Sequence, residues 1–192
     1  MRSGRFVDVD SGAVLGRHNG QQALTSGQSA RIGGRDAKYF VVGNGGSGSG
    51  SGSGAGTAAL QHENAAEGGL QAQEGDVLVA RGSDHPALFS RSLLAAAEDF
   101  SWIDGAGPPE LQLLVGNQDC ANGIGGMAVT GLHCKARYGQ ALEACSVQRT
   151  GAHLRVDFVR PQRSLTPGQV AVLYRGDECL GGGIICAPVE VE

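Results

Sequence analysis

Three glycines in a row, Gly181, Gly182 and Gly183, stand inside a run that otherwise reads as strand, with Cys179-Leu180 before them and Ile184-Ile185 after. Glycine within a strand marks a bulge, a tight bend or a close approach of another backbone. A linker reading fails, because the flanking residues are apolar β-formers. Upstream, Leu165-Thr166-Pro167-Gly168-Gln169 reads as a turn that presents Gln169 at the entry to the next strand. Tyr174-Arg175-Gly176-Asp177 then supplies a second turn. Together these residues describe the closing hairpin of a small β-barrel, with Gln169 at its rim.

The rest of the chain agrees with an all-β architecture. Short apolar runs recur at 93–97, 111–115, 132–138, 144–148, 154–158, 170–174 and 180–185, and each is expected to be a strand. Leu154-Arg155-Val156-Asp157-Phe158 alternates strictly, as a half-buried strand should. Nearer the start, Phe6-Val7-Asp8-Val9 and Ala13-Val14-Leu15 flank the turn cluster Asp10-Ser11-Gly12 and predict a hairpin. Residues 38–42 and 76–80 predict two further strands joined by an inflated loop, which costs little entropy. The expected fold is therefore mainly β: a small β-rich domain over 1–88, then a closed, translation-factor-like β-barrel over 89–192.

Of the 33 glycines, eight fall in the tract 43–56 with four serines. Such a stretch buries too little apolar surface to offset its ordering entropy, so a flexible insertion is expected there, continuing to about residue 75. Residues 116–126 are expected to form a second glycine-rich loop. Net charge is −4, but its distribution is uneven. Residues 131–192 carry seven basic and six acidic side chains, leaving room for a modest basic face. That is far from the dense footprint of an autonomous nucleic-acid binder. Five cysteines with no C-x-x-C spacing point to reduced, mostly buried thiols and an intracellular setting. No apolar run is long enough to span a bilayer, and no membrane role is expected.

Among the motifs, Asp84-His85-Pro86 offers adjacent ligands with no second cluster, which is poor metal geometry, so His85 is read as rigidifying a crossover. Lys135-Ala136-Arg137-Tyr138-Gly139-Gln140 lies where a strand runs into a tight turn. Arginine supplies charge-assisted contacts to phosphate and tyrosine stacks on bases, so an exposed Arg137-Tyr138 pair suits RNA, while a solvated strand end is the alternative. The G-x-G spacings of the Gly/Ser tract lack a Lys-Ser/Thr ending and hold no nucleotide. Cys179 and Cys186 have no neighbours that would depress a thiol pKa.

Taken in order, the motifs resemble the tRNA-specific 2-thiouridylases. The resemblance rests on Gly4-Arg5-Phe6-Val7-Asp8, Gly16-Arg17-His18-Asn19-Gly20, Thr25-Ser26-Gly27-Gln28 with Ile32-Gly33-Gly34, and Tyr39-Phe40-Val41-Val42. It continues through Asp84-His85-Pro86-Ala87-Leu88, Lys135-Ala136-Arg137-Tyr138, Thr166-Pro167-Gly168-Gln169 and the glycine triplet. It implies a central domain and C-terminal barrel that hold tRNA, with Arg137, Tyr138 and Gln169 at tRNA-contacting positions. It also implies an N-terminal ATP-pyrophosphatase domain, lying before the matched region, that uses ATP with Mg to adenylate C2 of the wobble uridine. A cysteine persulfide, charged by a sulfur-donor protein, then delivers sulfur. None of the catalytic residues of that domain maps onto this chain, so no catalytic or metal residue is expected in it. For a eukaryotic host the resemblance implies a mitochondrion or plastid, otherwise the cytoplasm. The family's basic loop is reduced here to Gln28-Ser29-Ala30-Arg31, and the insertions are foreign to its pattern. A stand-alone RNA-binding barrel and an inactive truncated paralogue are the competing readings.

Overall fold

The computed structural model describes residues 3–20, 24–45, 72–112 and 128–189. The chain divides into two compact units, Met1–Phe89 and Ser90–Glu192.

In the first unit, β1 (Gly4–Asp8), β2 (Val14–His18), β3 (Tyr39–Asn44) and β4 (Val77–Arg81) form one sheet in the order β2-β1-β4-β3. The β1–β2 hairpin closes where Asp8 N–H donates to Ala13 and Gly12 N–H to Asp8. β3 and β4 pair antiparallel, whereas β1 and β4 run parallel. Phe6, Val41, Val77 and Val79 are buried together with Ala30. The Arg5 guanidinium forks onto Asp76 at 3.0 and 2.6 Å, which holds that carboxyl down at about 2. Gly4 lies so close to the Gly75 carbonyl that no Cβ fits there. His85 caps the 3-10 turn Pro86–Leu88. Its Nδ1 accepts from Ala87 N–H at 3.2 Å, so the proton sits on Nε2 and points to Asp10 at 3.0 Å. This gives His85 a structural job within the unit.

The second unit contains β5 (Phe89–Ala96), β6 (Ser101–Trp102), the short helix α1 (Pro109–Gln112), β7 (Val129–Lys135), β8 (Glu143–Thr150), β9 (His153–Arg163), β10 (Val170–Arg175) and β11 (Glu178–Val189). Six strands follow one another around a closed barrel as β10-β7-β8-β9-β5-β11, and the β10–β11 ladder completes the circle. Inward positions alternate cleanly: Glu143, Cys145 and Val147 on β8, and Leu154, Val156 and Phe158 on β9, are buried. Cys145 lies opposite Leu132, and Cys134 opposite Glu143, so both thiols face inward. Burial pushes the Cys145 thiol up to about 12 and the Cys134 thiol higher still.

The expected strand at 111–115 is a correction. Residues 109–112 form α1, with Pro109 at its first position, a place proline favours because its missing N–H is not needed there. Leu111 buries its side chain in the barrel core from this helix. Residues 113–115 lie outside the described residues, as do the 116–126 loop, Cys120 and residues 46–71 of the glycine-rich insertion.

The glycine triplet now has a physical cause. β5 leaves β11 after the Ile185–Ala95 pair, and β6 takes over the same edge of β11, pairing Trp102 with Gly181 and Ser101 with Gly182. A Cβ on Gly181 would overlap the Ser101 carbonyl, and one on Gly183 would overlap the Phe100 ring. Phe100 is buried in the core and stacks on Trp102 with centroids 4.5 Å apart. The close-approach reading of the three glycines is correct, and the β6 segment that makes the approach was not foreseen.

Candidate functional site

Strand directions alternate around the barrel, so its connections sort onto two ends. One end, here the rim, carries the β7–β8 turn and the β9–β10 connection. The base carries the β8–β9 and β10–β11 hairpins and the connection from β5 to β7. Strands β9 and β10 lie on opposite sides of the circle, so the segment between them crosses the mouth of the barrel. Leu165 plugs that mouth and belongs to the core. Ser164, next to it, is buried with φ of 54°.

Both turns at the rim have the same construction. In Arg137-Tyr138-Gly139-Gln140, the Gln140 N–H donates to the Arg137 carbonyl at 3.2 Å, and Gly139 has φ of 77°. In Thr166-Pro167-Gly168-Gln169, the Gln169 N–H donates to the Thr166 carbonyl at 3.2 Å, and Gly168 has φ of 85°. A glycine at positive φ in the third position is the signature of a type II turn, and proline in the second position fits it. The first turn puts Tyr138 at its tip, where the ring is wholly exposed. The second anchors Gln169 by its backbone, whose carbonyl accepts from Ile185 N–H at 2.7 Å.

The three residues singled out from sequence therefore share one end of the barrel. The β7–β10 ladder pairs Lys135 with Val172. Continued by two residues, that register sets Arg137 level with Val170, beside Gln169. Arg137 Nε and Gln169 Oε1 are buried without a hydrogen-bonding partner among the described residues, and so is Ser164 Oγ. A buried polar group left unpaired costs about 1–3 kcal/mol. Such atoms have lost their hydration already, so a ligand that bonds them regains that energy. Tyr138 beside them adds an exposed aromatic face, and Val170 and Ile184, paired across β10 and β11, add exposed apolar surface.

Sequence reasoning missed the ionic cap of the rim. Arg160 grips Glu143 with two bonds of 2.9 and 2.8 Å. The Arg160 hydrogen bond holds the Glu143 carboxyl below its usual range, and Arg160 itself is raised by the same contact. The signal was present in Glu143, which belongs to the inward-facing series of β8, since a charge at a buried position demands a partner. Next to the pair, Gln140 and Gln162 bond through their side-chain amides, and Gln162 donates onward to the Arg160 carbonyl at 2.7 Å. Among the described residues, no three His, Cys, Asp or Glu side chains are grouped to hold a metal. No helix among them is long and apolar enough to cross a membrane.

The barrel matches a known family model. Residues 96–185 fit the aminomethyltransferase β-barrel domain. Nearly the whole chain aligns with tRNA-specific 2-thiouridylases: 31% identity over 185 residues, or 93% of this chain, with MnmA of Pseudomonas aeruginosa. The chain matches the C-terminal portion of the tRNA-specific 2-thiouridylases. Chlamydia pneumoniae MnmA is 28% identical over 98% of the chain, and the mitochondrial tRNA-specific 2-thiouridylase 1 of Gallus gallus 34% identical over 95%. The chain spans 37%, 40% and 34% of these three relatives respectively, and corresponds to the C-terminal portion of the family. The match agrees with the resemblance that the motifs carry.

Proposed function

We propose that this chain is the tRNA-holding portion of a tRNA-uridine 2-sulfurtransferase and that the barrel rim is its RNA contact. The observation that carries the reading is the meeting of Arg137, Tyr138 and Gln169 at one barrel end, with buried polar atoms of Arg137 and Gln169 lacking protein partners. Arg137 meets a backbone phosphate, Tyr138 stacks on a base or ribose, and Gln169 hydrogen-bonds a nucleotide from the crossover turn. The names of the relatives supply tRNA as the RNA class. In this reading the chain positions the wobble uridine for chemistry performed by an ATP-pyrophosphatase domain. That domain uses ATP with Mg to activate C2, and a cysteine persulfide fed by a sulfur-donor protein then supplies sulfur. The setting is intracellular, a mitochondrion or plastid in a eukaryote and otherwise the cytoplasm, in keeping with bacterial and mitochondrial relatives.

The test is a titration of the chain with unmodified tRNA at several salt concentrations. Arg137→Ala is expected to weaken binding several-fold and to lower the salt slope by about one unit, the signature of a single lost phosphate contact. An unchanged slope and affinity would remove Arg137 from the interface.

A further inference from the structure

The Arg137–Tyr138 turn protrudes from the barrel, yet it is fastened from beneath. Gln140 makes three bonds at once. Its backbone N–H closes the turn onto the Arg137 carbonyl, and its Oε1 accepts from Ala136 N–H at 3.2 Å. Its amide nitrogen donates to Gln162 Oε1 across on β9, and Gln162 Nε2 returns to the Arg160 carbonyl. Gln162 also bonds the Glu143 carboxylate that Arg160 grips. A continuous chain of bonds thus runs from the base of the exposed turn, through two amides, to the ionic cap of the barrel.

We propose that the Gln140–Gln162 amide pair is a positioning device that holds Arg137 and Tyr138 in the orientation RNA requires. The proposal rests on the rim being the tRNA contact. Neither amide carries charge, so neither contributes to counterion release. Both act by fixing the turn before RNA arrives. A turn held in its bound geometry loses less conformational entropy on binding than a free one. Within one turn the two glutamines on its flank and the arginine at its start have separate duties: Arg137 makes the contact, Gln140 orients it.

This predicts a signature that differs from that of a contact residue. Gln140→Leu preserves bulk but removes both side-chain bonds. In the full 192-residue chain, tRNA affinity should fall about five- to tenfold, a change of roughly 1–1.4 kcal/mol. The salt slope should stay as in the unmutated chain. In an Arg137→Ala background the same substitution should cost less than it does in the unmutated chain, because part of its effect passes through Arg137. Gln162→Leu should behave like Gln140→Leu, and the double substitution should add little to either. A second measurement needs no RNA: the Ala136 amide should lose hydrogen-exchange protection in Gln140→Leu, while that of Leu173 in the barrel wall keeps it.

Affinity within twofold of the unmutated chain would overturn the proposal, as would an effect fully additive with Arg137→Ala, or retained protection at Ala136. If the unmutated chain shows no tRNA binding while Ala136 loses protection as expected, the RNA reading of the rim fails and so does the purpose assigned to the device. Its bonds would then be seen to fix the turn alone.

Discussion

The two halves of the run from Thr166 to Ile185 do opposite work, although both are rich in glycine. At the rim, Gly168 supplies a backbone angle that turns the chain and leaves the Gln169 side chain beside the mouth. Further back along β11, Gly181 and Gly183 supply empty space into which Ser101 and Phe100 fit. Gly168 is there for conformation, Gly183 for volume, and Gly181, with φ of 157°, for both. The first serves presentation of polar atoms, and the second serves closure of the core. A substitution that separates angle from volume therefore separates the two roles.

The largest effect is expected at the triplet. Gly183→Val should cost about 3 kcal/mol, because its side chain must displace the Phe100 ring from a packed core. Phe100→Ala should cost a similar 3 kcal/mol or more through the cavity it leaves. The two together should cost clearly less than their sum, since the valine then occupies space the ring vacated. Trp102, the one tryptophan of the chain, stacks on Phe100 and reports unfolding by fluorescence in urea. Strict additivity would mean that Gly183 and Phe100 do not share a space, and the volume account of the triplet would be lost.

At the rim, Gly168→Ala should be milder in stability, about 1–2 kcal/mol, the strain of a left-handed conformation on a residue with a Cβ. Nothing crowds a Cβ at that position, so volume is not at issue. It should weaken tRNA binding as well, because Gln169 follows directly and changes its aim. Arg137→Ala should leave stability within about 0.5 kcal/mol, because its buried Nε makes no hydrogen bond that the substitution could break. If Gly168→Ala altered stability alone, the turn would be architectural like the triplet, and the contrast between the two halves of the run would collapse.

Much of the barrel was legible because its strands are half-buried: alternation at Leu154, Val156 and Phe158 states which face points inward. The rim turns were legible through Pro167-Gly168 and Tyr138-Gly139, where the chemistry of the turn is local. What was hidden is what depends on pairing at long range. The four-residue α1 has too little sequence to show a period, and Leu111 reads the same in a strand as in a helix. β6 is two residues long, and only its partner glycines hint at it. The Glu143–Arg160 pair joins two strands across a ladder whose register the sequence does not state. Of the candidate site, the residue types came from sequence, and their meeting at one end came from the strand order.

The smallest effect concerns acid, and it distinguishes the ends by charge. The rim is capped by the Glu143–Arg160 pair, while Phe100 and Leu111 belong to the apolar core. Because bonding to Arg160 lowers the folded Glu143 pKa below the ordinary 4.5, the pair adds stability that is fully present above that value. It is lost progressively as the pH falls through the lower folded value. Arg160 is largely exposed, so screening by solvent keeps the contribution small. Amide NMR spectra recorded from pH 6 to pH 3 should show Ala136 and Gln140 shifting with this titration. Asp104 titrates at the base too, but it bonds only Ala106 and Gly107 in its own turn, so those amides should move while Gly182 stays still. Glu143→Gln should abolish the rim shifts and leave those at Ala106 and Gly107. If Gly182 instead followed the rim amides through the same midpoint, the barrel would loosen as one body. Acid would then no longer separate an ionic rim from an apolar core.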